Sequence, residues 1–191
     1  MKAPAFDYCK PKTLAEALNE LQALGDSAQV LAGGQSLLAM MNLRLSAASK
    51  LVDITGLSEL KGIERHEHHV RIGALVTHSE LLASDIVAQD LPLLHQSVPH
   101  VAHLAIRNQG LYATARRSDE LLVAVRWPRL HADERVGFDE LSRRRGDYAM
   151  VGVAARVRLN QGVVSQAQVA LLSVADTPLL AIHCASALMG Q

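Results

Sequence analysis

Apolar residues in the first part of the chain recur at two spacings, which predict helices alternating with short strands. Thr13-Leu14-Ala15-Glu16 has the form of a capping box, in which the Thr13 and Glu16 side chains accept each other's backbone N–H groups. Leucine and alanine then recur at helical spacing as far as Gly25, so we predict a helix over residues 13–24. Short apolar runs predict strands over residues 29–32, 50–54 and 69–73.

Three further helices are predicted in this part of the chain. Leu37 to Met41 has the composition of a short apolar helix. Thr77-His78-Ser79-Glu80 is a second capping box, and it predicts a helix that continues through Leu82. Residues 91–106 are helical in period, with Pro92 near the start, where proline is tolerated.

The second part of the chain has the pattern of an antiparallel sheet. We predict strands over residues 120–127, 148–159 and 163–173, with Asn160-Gln161-Gly162 as a hairpin loop. Strands mixed with helices, followed by strands alone, indicate an α+β fold with two subdomains joined near residues 107–118.

Composition excludes several classes of function. The 191 residues carry 19 Lys and Arg against 19 Asp and Glu, and this neutral balance gives no reason to expect nucleic-acid binding. Cys9 and Cys184 are too few for an iron–sulfur site. With neither a signal-peptide pattern nor an apolar run long enough to span a bilayer, we expect a soluble cytoplasmic protein.

The most informative local feature is the segment Ala32-Gly33-Gly34-Gln35-Ser36-Leu37. Here a predicted strand ends, two glycines turn the chain and a helix begins. Successive backbone N–H groups in such a turn form an anion-binding nest that suits a pyrophosphate, assisted by the helix N-terminus, and Ser36 adds a hydroxyl donor. A Gly-Gly turn with a purely structural role is the alternative.

Ordered motifs along nearly the whole chain resemble the FAD-binding medium subunit of molybdenum hydroxylases, of the carbon monoxide/xanthine dehydrogenase type. They begin with Phe6-Asp7-Tyr8 and the glycine turn, which is followed by Leu43-Arg44-Leu45. The later motifs, in the family's order, are Leu51-Val52-Asp53-Ile54, Ile72-Gly73-Ala74 with Thr77-His78, Ile106-Arg107-Asn108-Gln109-Gly110, Tyr112-Ala113-Thr114, Asp119-Glu120-Leu121-Leu122 and Arg144-Arg145-Gly146-Asp147-Tyr148-Ala149.

This resemblance implies a two-subdomain FAD-binding fold of the vanillyl-alcohol-oxidase/PCMH type. Residues 1–110 would form its N-terminal part and residues 111–191 its C-terminal antiparallel sheet. It also implies an oxidoreductase subunit whose FAD receives electrons from a 2Fe-2S small subunit and passes them to an external acceptor. The molybdopterin-binding large subunit would be the second partner and would hold the reducing substrate.

The resemblance also implies which residues contact FAD, and it assigns no catalytic side chain and no metal ligand. Residues Ala32, Gly33, Gly34, Gln35, Ser36 and Leu37 would hold the pyrophosphate. Ile72, Gly73 and Ala74 would lie along the flavin, with Thr77 nearby. Tyr148 would approach the flavin ring from the second subdomain, and a half-buried tyrosine of the sheet is the alternative.

The chain departs from the family pattern after Gly110. In the family this segment continues directly into Thr-Ile-Gly-Gly, the second half of the pyrophosphate cradle, whereas here Leu111-Tyr112-Ala113-Thr114 follows. The strands after that loop and the helices beyond residue 191 are also lacking. A natural deletion, a shortened reading frame and omitted residues all account for the difference.

Three groups of polar residues have simpler interpretations than a metal or ligand site. His66, His68 and His69 indicate a solvated hairpin, and His95, His100 and His103 indicate surface or interface positions on a helix. The run Arg143-Arg144-Arg145 indicates a solvated turn, with contact to an FAD phosphate or a partner subunit as the alternative.

Three functions remain open from the sequence. The first is an FAD-binding electron-transfer subunit. The second is a flavin-free part of the same assembly, suggested by the missing loop. The third is a small nucleotide- or phosphate-binding module that uses only Gly33 to Ser36.

Overall fold

The computed structural model describes residues 2–101, 117–144 and 146–191. These residues fall into two compact units built from interleaved parts of the chain. Over the described residues, the first unit comprises residues 2–64, 71–80 and 117–126, and the second comprises residues 65–70, 81–101, 127–144 and 146–191. Each unit contains both helices and strands, so the predicted α+β class is confirmed.

Helices and strands alternate in the first part of the described chain, and consecutive strands dominate its second part. The helices are α1 (Leu14–Leu24), α2 (Leu37–Asn42), α3 (His78–Ala83), α4 (Asp85–Asp90), α5 (Pro92–Ser97) and α6 (Ile182–Leu188). The strands are β1 (Asp7–Cys9), β2 (Ala28–Leu31), β3 (Lys50–Asp53), β4 (Ile63–Arg65), β5 (His69–Gly73), β6 (Ala124–Pro128), β7 (Glu134–Ser142), β8 (Ala149–Asn160), β9 (Val163–Leu172) and β10 (Leu179–Leu180).

A parallel sheet in the order β1-β3-β2 organises the first unit. Tyr8 of β1 is opposite Leu51, and Leu31 of β2 is opposite Asp53. Parallel neighbours cannot be joined by a tight hairpin, and the chain accordingly passes through α1 and then α2 between these strands. The carboxyl ends of all three strands therefore lie at the same edge of the sheet, where ligands of such sheets bind.

Both faces of the central strand β3 are covered, which explains its apolar sequence. Fully buried Val52 packs in one cluster with Ala17 and Leu21, which share a face of α1 because they are four residues apart. Leu51 points the other way and packs with Met41 of α2. Each such buried leucine or valine stabilises the fold by about 1.5–3 kcal/mol.

An antiparallel sheet in the order β10-β9-β8-β7 forms the framework of the second unit, as the sequence predicted. The predicted hairpin is confirmed, because Asn160 pairs with Val163 across Gln161 and Gly162. Gln161 and Gly162 have φ values of 52° and 85°. Positive φ at both positions is what a two-residue type I′ turn requires.

Helix α1 follows the prediction with one difference in its capping box. The Thr13 hydroxyl accepts the Glu16 N–H at 3.2 Å, and Gly25, with φ 53°, ends the helix. The Glu16 carboxylate, however, accepts the N–H of Lys12 at 2.7 Å rather than that of Thr13. The reach-back bond therefore forms one residue earlier in the chain.

Several predicted boundaries were wrong. The helix predicted over residues 91–106 ends at Ser97, and a 3-10 turn at Val98–His100 follows because Pro99 cannot donate a helical hydrogen bond. Residues 102–106 of this prediction lie outside the described residues. The strand predicted from residue 120 begins only at Ala124. The nine-residue strand β7 and the short strands β1, β4 and β10 were not predicted.

Candidate functional site

The glycine turn lies at the carboxyl edge of the parallel sheet. Strand β2 ends at Leu31, and helix α2 begins at Leu37, so residues 32–36 form the connection. Gly34 has a φ of 74°, a conformation that side-chain-bearing residues rarely adopt. A Cβ atom at this position would also lie 3.1 Å from Leu38 Cδ1 and 3.3 Å from Leu31 Cδ1.

The backbone N–H groups of the turn are available to a ligand. Among the described residues, the amides of residues 32–37 donate to no backbone or side-chain acceptor of the protein. Ser36 occupies the N-cap position of α2 but makes no capping hydrogen bond with its side chain. Gly33 and Gly34 are half-buried and Gln35 and Ser36 exposed, so an anion can reach these donors from solvent.

Helix α2 follows the glycine turn directly but contains only six residues. Any effect of its dipole on an anion is confined to its first turn. The attraction for an anion therefore depends on the individual N–H groups of the turn. How rigidly these N–H groups are held depends on the strands and side chains that surround residues 31–37.

A buried carboxylate lies beside the turn, at the end of β3. Asp53 is only 6% exposed and is opposite Leu31, the last residue of β2. Its Oδ1 accepts the Thr55 N–H at 2.8 Å and the Thr55 hydroxyl at 2.6 Å, while its Oδ2 accepts the Tyr8 hydroxyl. Lys10 Nζ lies 3.4 Å from Oδ2 and donates to Thr55 Oγ1 at 3.2 Å.

These contacts keep Asp53 ionised. Burial alone would raise the pKa of its carboxyl group, but hydrogen bonds from Thr55 and Tyr8 and the charge of Lys10 outweigh burial and hold the pKa below its usual value. The hydrogen bond between Tyr8 and Asp53, together with partial burial, raises the pKa of the Tyr8 hydroxyl. Tyr8 is therefore protonated and a hydrogen-bond donor throughout the physiological range.

The segment that contains Ile72, Gly73, Ala74 and Thr77 is held mainly by the protein itself. The Ile72 side chain is fully buried, and the N–H groups of Gly73 and Ala74 donate to the carbonyls of Gly62 and Val123 at 3.0 Å. A Cβ on Gly73 would lie 2.3 Å from the Leu60 carbonyl oxygen. Glycine is thus required at this position by the packing of the backbone.

Thr77 caps helix α3. Its N–H and hydroxyl donate to Glu80 Oε2 at 2.6 and 2.8 Å, and its hydroxyl accepts the Glu80 N–H at 3.2 Å, so the predicted capping box is confirmed. One core connects this segment to the glycine turn, because Leu75 belongs to the cluster on which Ala32 packs. The first unit therefore holds ten of the eleven predicted site residues.

Tyr148 belongs to the second unit. It lies just before β8, and its side chain is 94% exposed, so the alternative of a half-buried sheet tyrosine is excluded. Its N–H donates to Asp147 Oδ1 at 3.0 Å, and Asp147 accepts from Arg144 Nε at 3.2 Å. Arg145 lies outside the described residues, and so does His103.

The histidines have ordinary surroundings. His66 and His69 stack at the end of the β4–β5 hairpin, with ring centroids 4.5 Å apart. His100 packs edge-on against Phe138 of β7, and its Nδ1 lies 3.3 Å from Glu140 Oε1. Over residues 2–101, 117–144 and 146–191, no group of three or more His, Cys, Asp or Glu side chains converges as a metal site would require.

Comparison with known proteins identifies the family of the chain. The family described as "FAD binding domain in molybdopterin dehydrogenase" matches residues 4–113, more than half of the chain. The chain belongs to this family. A second match, to the "CO dehydrogenase flavoprotein C-terminal domain", covers residues 137–191.

Relatives of the molybdopterin dehydrogenase FAD-binding family match almost the whole chain. The 6-hydroxypseudooxynicotine dehydrogenase complex subunit alpha of Paenarthrobacter nicotinovorans is 34% identical, covering 98% of this chain and 78% of the relative. The carbon monoxide dehydrogenase medium chain of Hydrogenophaga pseudoflava is 30% identical, with 100% and 82% covered. The quinoline 2-oxidoreductase structure from Pseudomonas putida 86 superposes with a TM-score of 0.92 at 31% identity, covering 100% of this chain and 82% of that one.

The chain is therefore an FAD-binding subunit of an oxidoreductase, with the two-subdomain fold of the molybdopterin dehydrogenase flavoproteins. The turn at residues 32–37 offers donors suited to a phosphate group, because its amides make no hydrogen bond among the described residues and Gly34 has a positive φ. When bound, FAD supplies the redox chemistry, and the protein binds and orients it. Among the described residues, no helix has the length and hydropathy needed to span a membrane.

The chain is shorter than these flavoproteins. Its alignment with the Hydrogenophaga protein extends over 236 positions, more than the 191 residues present, so the alignment places gaps within this chain. The sequence predicted the loss of the Thr-Ile-Gly-Gly loop at the junction of Gly110 and Leu111. That junction lies outside the described residues, as do the motifs at residues 106–110 and 112–114.

The sequence analysis missed the polar residues that flank the turn. Asp53 was noted only as part of a family motif, and Lys10 and Thr55 were not singled out. An aspartate at the end of an apolar strand is a recognisable signal, because an unpaired carboxylate is rarely buried. Its partner Tyr8, however, comes from a strand 45 residues earlier and could not be assigned to it from the sequence.

Proposed function

We propose that this chain is the electron-transfer subunit of a molybdopterin-dependent hydroxylase or dehydrogenase. In this proposal it assembles with a molybdopterin-binding large subunit and a 2Fe-2S small subunit. FAD bound to the chain passes electrons from the iron–sulfur clusters to an external acceptor. The observation that carries the proposal is the set of unbonded amides over residues 32–37, because these are the donors that an FAD pyrophosphate needs.

Within this proposal, each predicted site residue has a defined role. Residues 32–37 bind the pyrophosphate through backbone N–H groups, with the Ser36 hydroxyl as a further donor. Ile72, Gly73 and Ala74 provide a rigid apolar wall, since their own N–H groups are engaged or buried, and Thr77 fixes the start of α3 beside it. Tyr148 supplies an exposed aromatic ring for contact with the isoalloxazine.

Two further features belong to the proposal. We retain the division at residue 110 between N-terminal and C-terminal parts, and the family match that ends at residue 113 supports it. We also place the complex in the cytoplasm. Free Cys9 and Cys184 favour a reducing compartment, in which disulfides do not form.

Flavin retention by the purified chain tests the proposal directly. We expect yellow protein whose flavin absorbance persists through gel filtration. Calorimetric titration of flavin-depleted chain should give much tighter binding for FAD than for ADP or pyrophosphate, since all parts of the dinucleotide would contribute. Equal affinities for the three ligands would instead indicate a phosphate-binding module limited to the glycine turn.

A flavin-free assembly subunit is the second candidate, and the alignment gaps favour it. Loss of the Thr-Ile-Gly-Gly loop, the second half of the pyrophosphate cradle, would remove several hydrogen bonds to charged phosphates. Each is worth about 1.5–3 kcal/mol. Co-expression with the large and small subunits separates the two functions. Co-purification of all three subunits without flavin in this chain would support the second candidate and contradict the first.

A further inference from the structure

We infer that Asp53 is a positioning residue for FAD, which holds the glycine turn in its binding conformation without touching the cofactor. The inference rests on the proposed function, because it concerns the same turn. Three structural observations lead to it: the position of Asp53 in the sheet, the set of donors around its carboxylate, and one backbone hydrogen bond that links it to β2.

The position of Asp53 places it between the strands whose ends form the site. It is the last residue of the central strand β3, and its Cα partner is Leu31, which directly precedes the turn. Tyr8 lies on β1, on the other side of β3. A group at this point can hold both neighbouring strands in register.

Both oxygens of the Asp53 carboxylate contribute to holding these strands. Oδ2 accepts from the Tyr8 hydroxyl and lies 3.4 Å from Lys10 Nζ, so it ties the end of β1 to β3. Oδ1 accepts the N–H and hydroxyl of Thr55, which folds residues 53–55 into a fixed turn. A buried carboxylate with this many donors is rigid, because losing any one of them leaves charge insufficiently solvated.

The backbone of residues 53–55 transmits this order to the glycine turn. The Ile54 N–H, between the two bonded residues, donates to the Leu31 carbonyl at 3.0 Å. The Leu31 carbonyl belongs to the same peptide group as the Ala32 N–H, with which the set of unbonded amides begins just after β2. The Asp53 contacts thus fix the point at which the chain leaves the sheet, and with it the direction of the N–H groups that follow.

The chain offers a matched control in the second unit. Asp90 is 7% exposed, and its carboxylate is bonded by Arg65 Nε and, at 3.1 Å, by Arg129. It is therefore a buried, multiply bonded carboxylate like Asp53, but it belongs to a unit that does not contain the glycine turn. Asp90→Asn separates a general loss of stability from a specific effect on the turn.

The experiment compares wild type, Asp53→Asn, Tyr8→Phe and Asp90→Asn. For each we would measure FAD affinity by titration of flavin-depleted full-length chain, hydrogen–deuterium exchange of residues 32–37 without FAD, and the midpoint of urea unfolding.

We expect Asp53→Asn to weaken FAD binding about tenfold and to accelerate exchange over residues 32–37. Tyr8→Phe should shift both quantities in the same direction by about two- to threefold, and it remains informative if Asp53→Asn does not fold. Asp90→Asn should lower the midpoint of urea unfolding but change neither the FAD affinity nor the exchange over residues 32–37.

Three results would overturn the inference. One is unchanged affinity and exchange in Asp53→Asn and Tyr8→Phe while wild type binds FAD, which leaves the proposed function intact. Another is an equal loss of affinity in Asp53→Asn and Asp90→Asn, which would indicate general destabilisation. The last is the absence of FAD binding by the wild-type chain. That result would contradict the proposed function, and the inference would fail with it.

Discussion

The Tyr8 hydroxyl donates a hydrogen bond to the buried carboxylate of Asp53, and this contact joins two neighbouring parallel strands at the edge where the glycine turn begins. The contact involves an ionisable carboxylate, whereas Leu51 and Val52 stabilise the same sheet by apolar packing. Its contribution to stability therefore depends on pH, in a way that the packing of Leu51 and Val52 does not.

The lowered pKa of Asp53 predicts acid sensitivity. Because the pKa is lower in the folded chain than its usual 3.8, the stabilisation is complete well above pH 3.8 and is lost as pH falls through the lower, folded value. We expect Asp53→Asn to reduce the free energy of unfolding by about 2 kcal/mol near neutral pH. The difference from wild type should shrink below pH 3.8. Urea unfolding between neutral and strongly acidic conditions measures it, and a difference that does not vary with pH would contradict the assignment.

Gly34→Ala should weaken FAD binding. Alanine at a φ of 74° costs about 1–2 kcal/mol, and its Cβ would press against Leu38 and Leu31. Gly25→Ala is the control, because Gly25 also has a positive φ, of 53°, but a Cβ added there would meet no atom within 4 Å, and the residue lies outside the turn. Both variants should lose stability in thermal unfolding. Only Gly34→Ala should also lose FAD affinity, and a similar loss in both would argue against the turn as the binding site.

Gly73→Ala should prevent normal folding of the first unit. The added Cβ would lie 2.3 Å from a backbone oxygen, which cannot move aside as a side chain can, so we expect a cost of about 3 kcal/mol or more. Gly137→Ala, where the Cβ meets nothing within 4 Å, is the matched substitution and should be nearly neutral. Denaturant titration with circular dichroism measures both. A folded Gly73→Ala chain of normal stability would show that this backbone contact is not constraining.

Tyr148→Ala should change the flavin and leave stability unaltered. A side chain that is 94% exposed contributes little to folding, so the free energy of unfolding should change by less than about 0.5 kcal/mol. If the ring contacts the isoalloxazine, its loss should alter the visible spectrum and the reduction potential of bound FAD. Met150→Ala, at a neighbouring exposed position, should alter neither. An unchanged flavin spectrum and potential in Tyr148→Ala would remove this residue from the site.

Local patterns were sufficient to predict elements whose stabilising contacts are close in sequence. Helix α1 could be predicted from a cap, an apolar period and a terminal glycine that follow one another directly in the chain. The β8–β9 hairpin could be predicted because its turn chemistry and both strands are contiguous. The glycine turn was recognisable for the same reason, since all of its donors belong to consecutive residues.

Strand β7 could not be predicted, because two glutamates, Glu134 and Glu140, interrupt the apolar side of its alternating pattern. Glu134 is 5% exposed and is bonded by Arg158 at 3.2 Å, and Glu140 lies beside His100. These partners come from distant elements, so the sequence presents glutamates where a strand would show apolar residues. The Asp53 contacts escaped prediction for the same physical reason: buried charge is tolerated only through partners that the fold brings together.

Strand β2 has a single paired neighbour, β3, among the described strands, and it leads directly into the glycine turn. An edge strand can detach while the centre of its sheet stays intact, at a lower free-energy cost than complete unfolding. If the glycine turn binds FAD as proposed, exchange of the bound dinucleotide should proceed by partial opening of this edge. Cofactor loss on storage or mild heating should precede denaturation, and added FAD should reverse it.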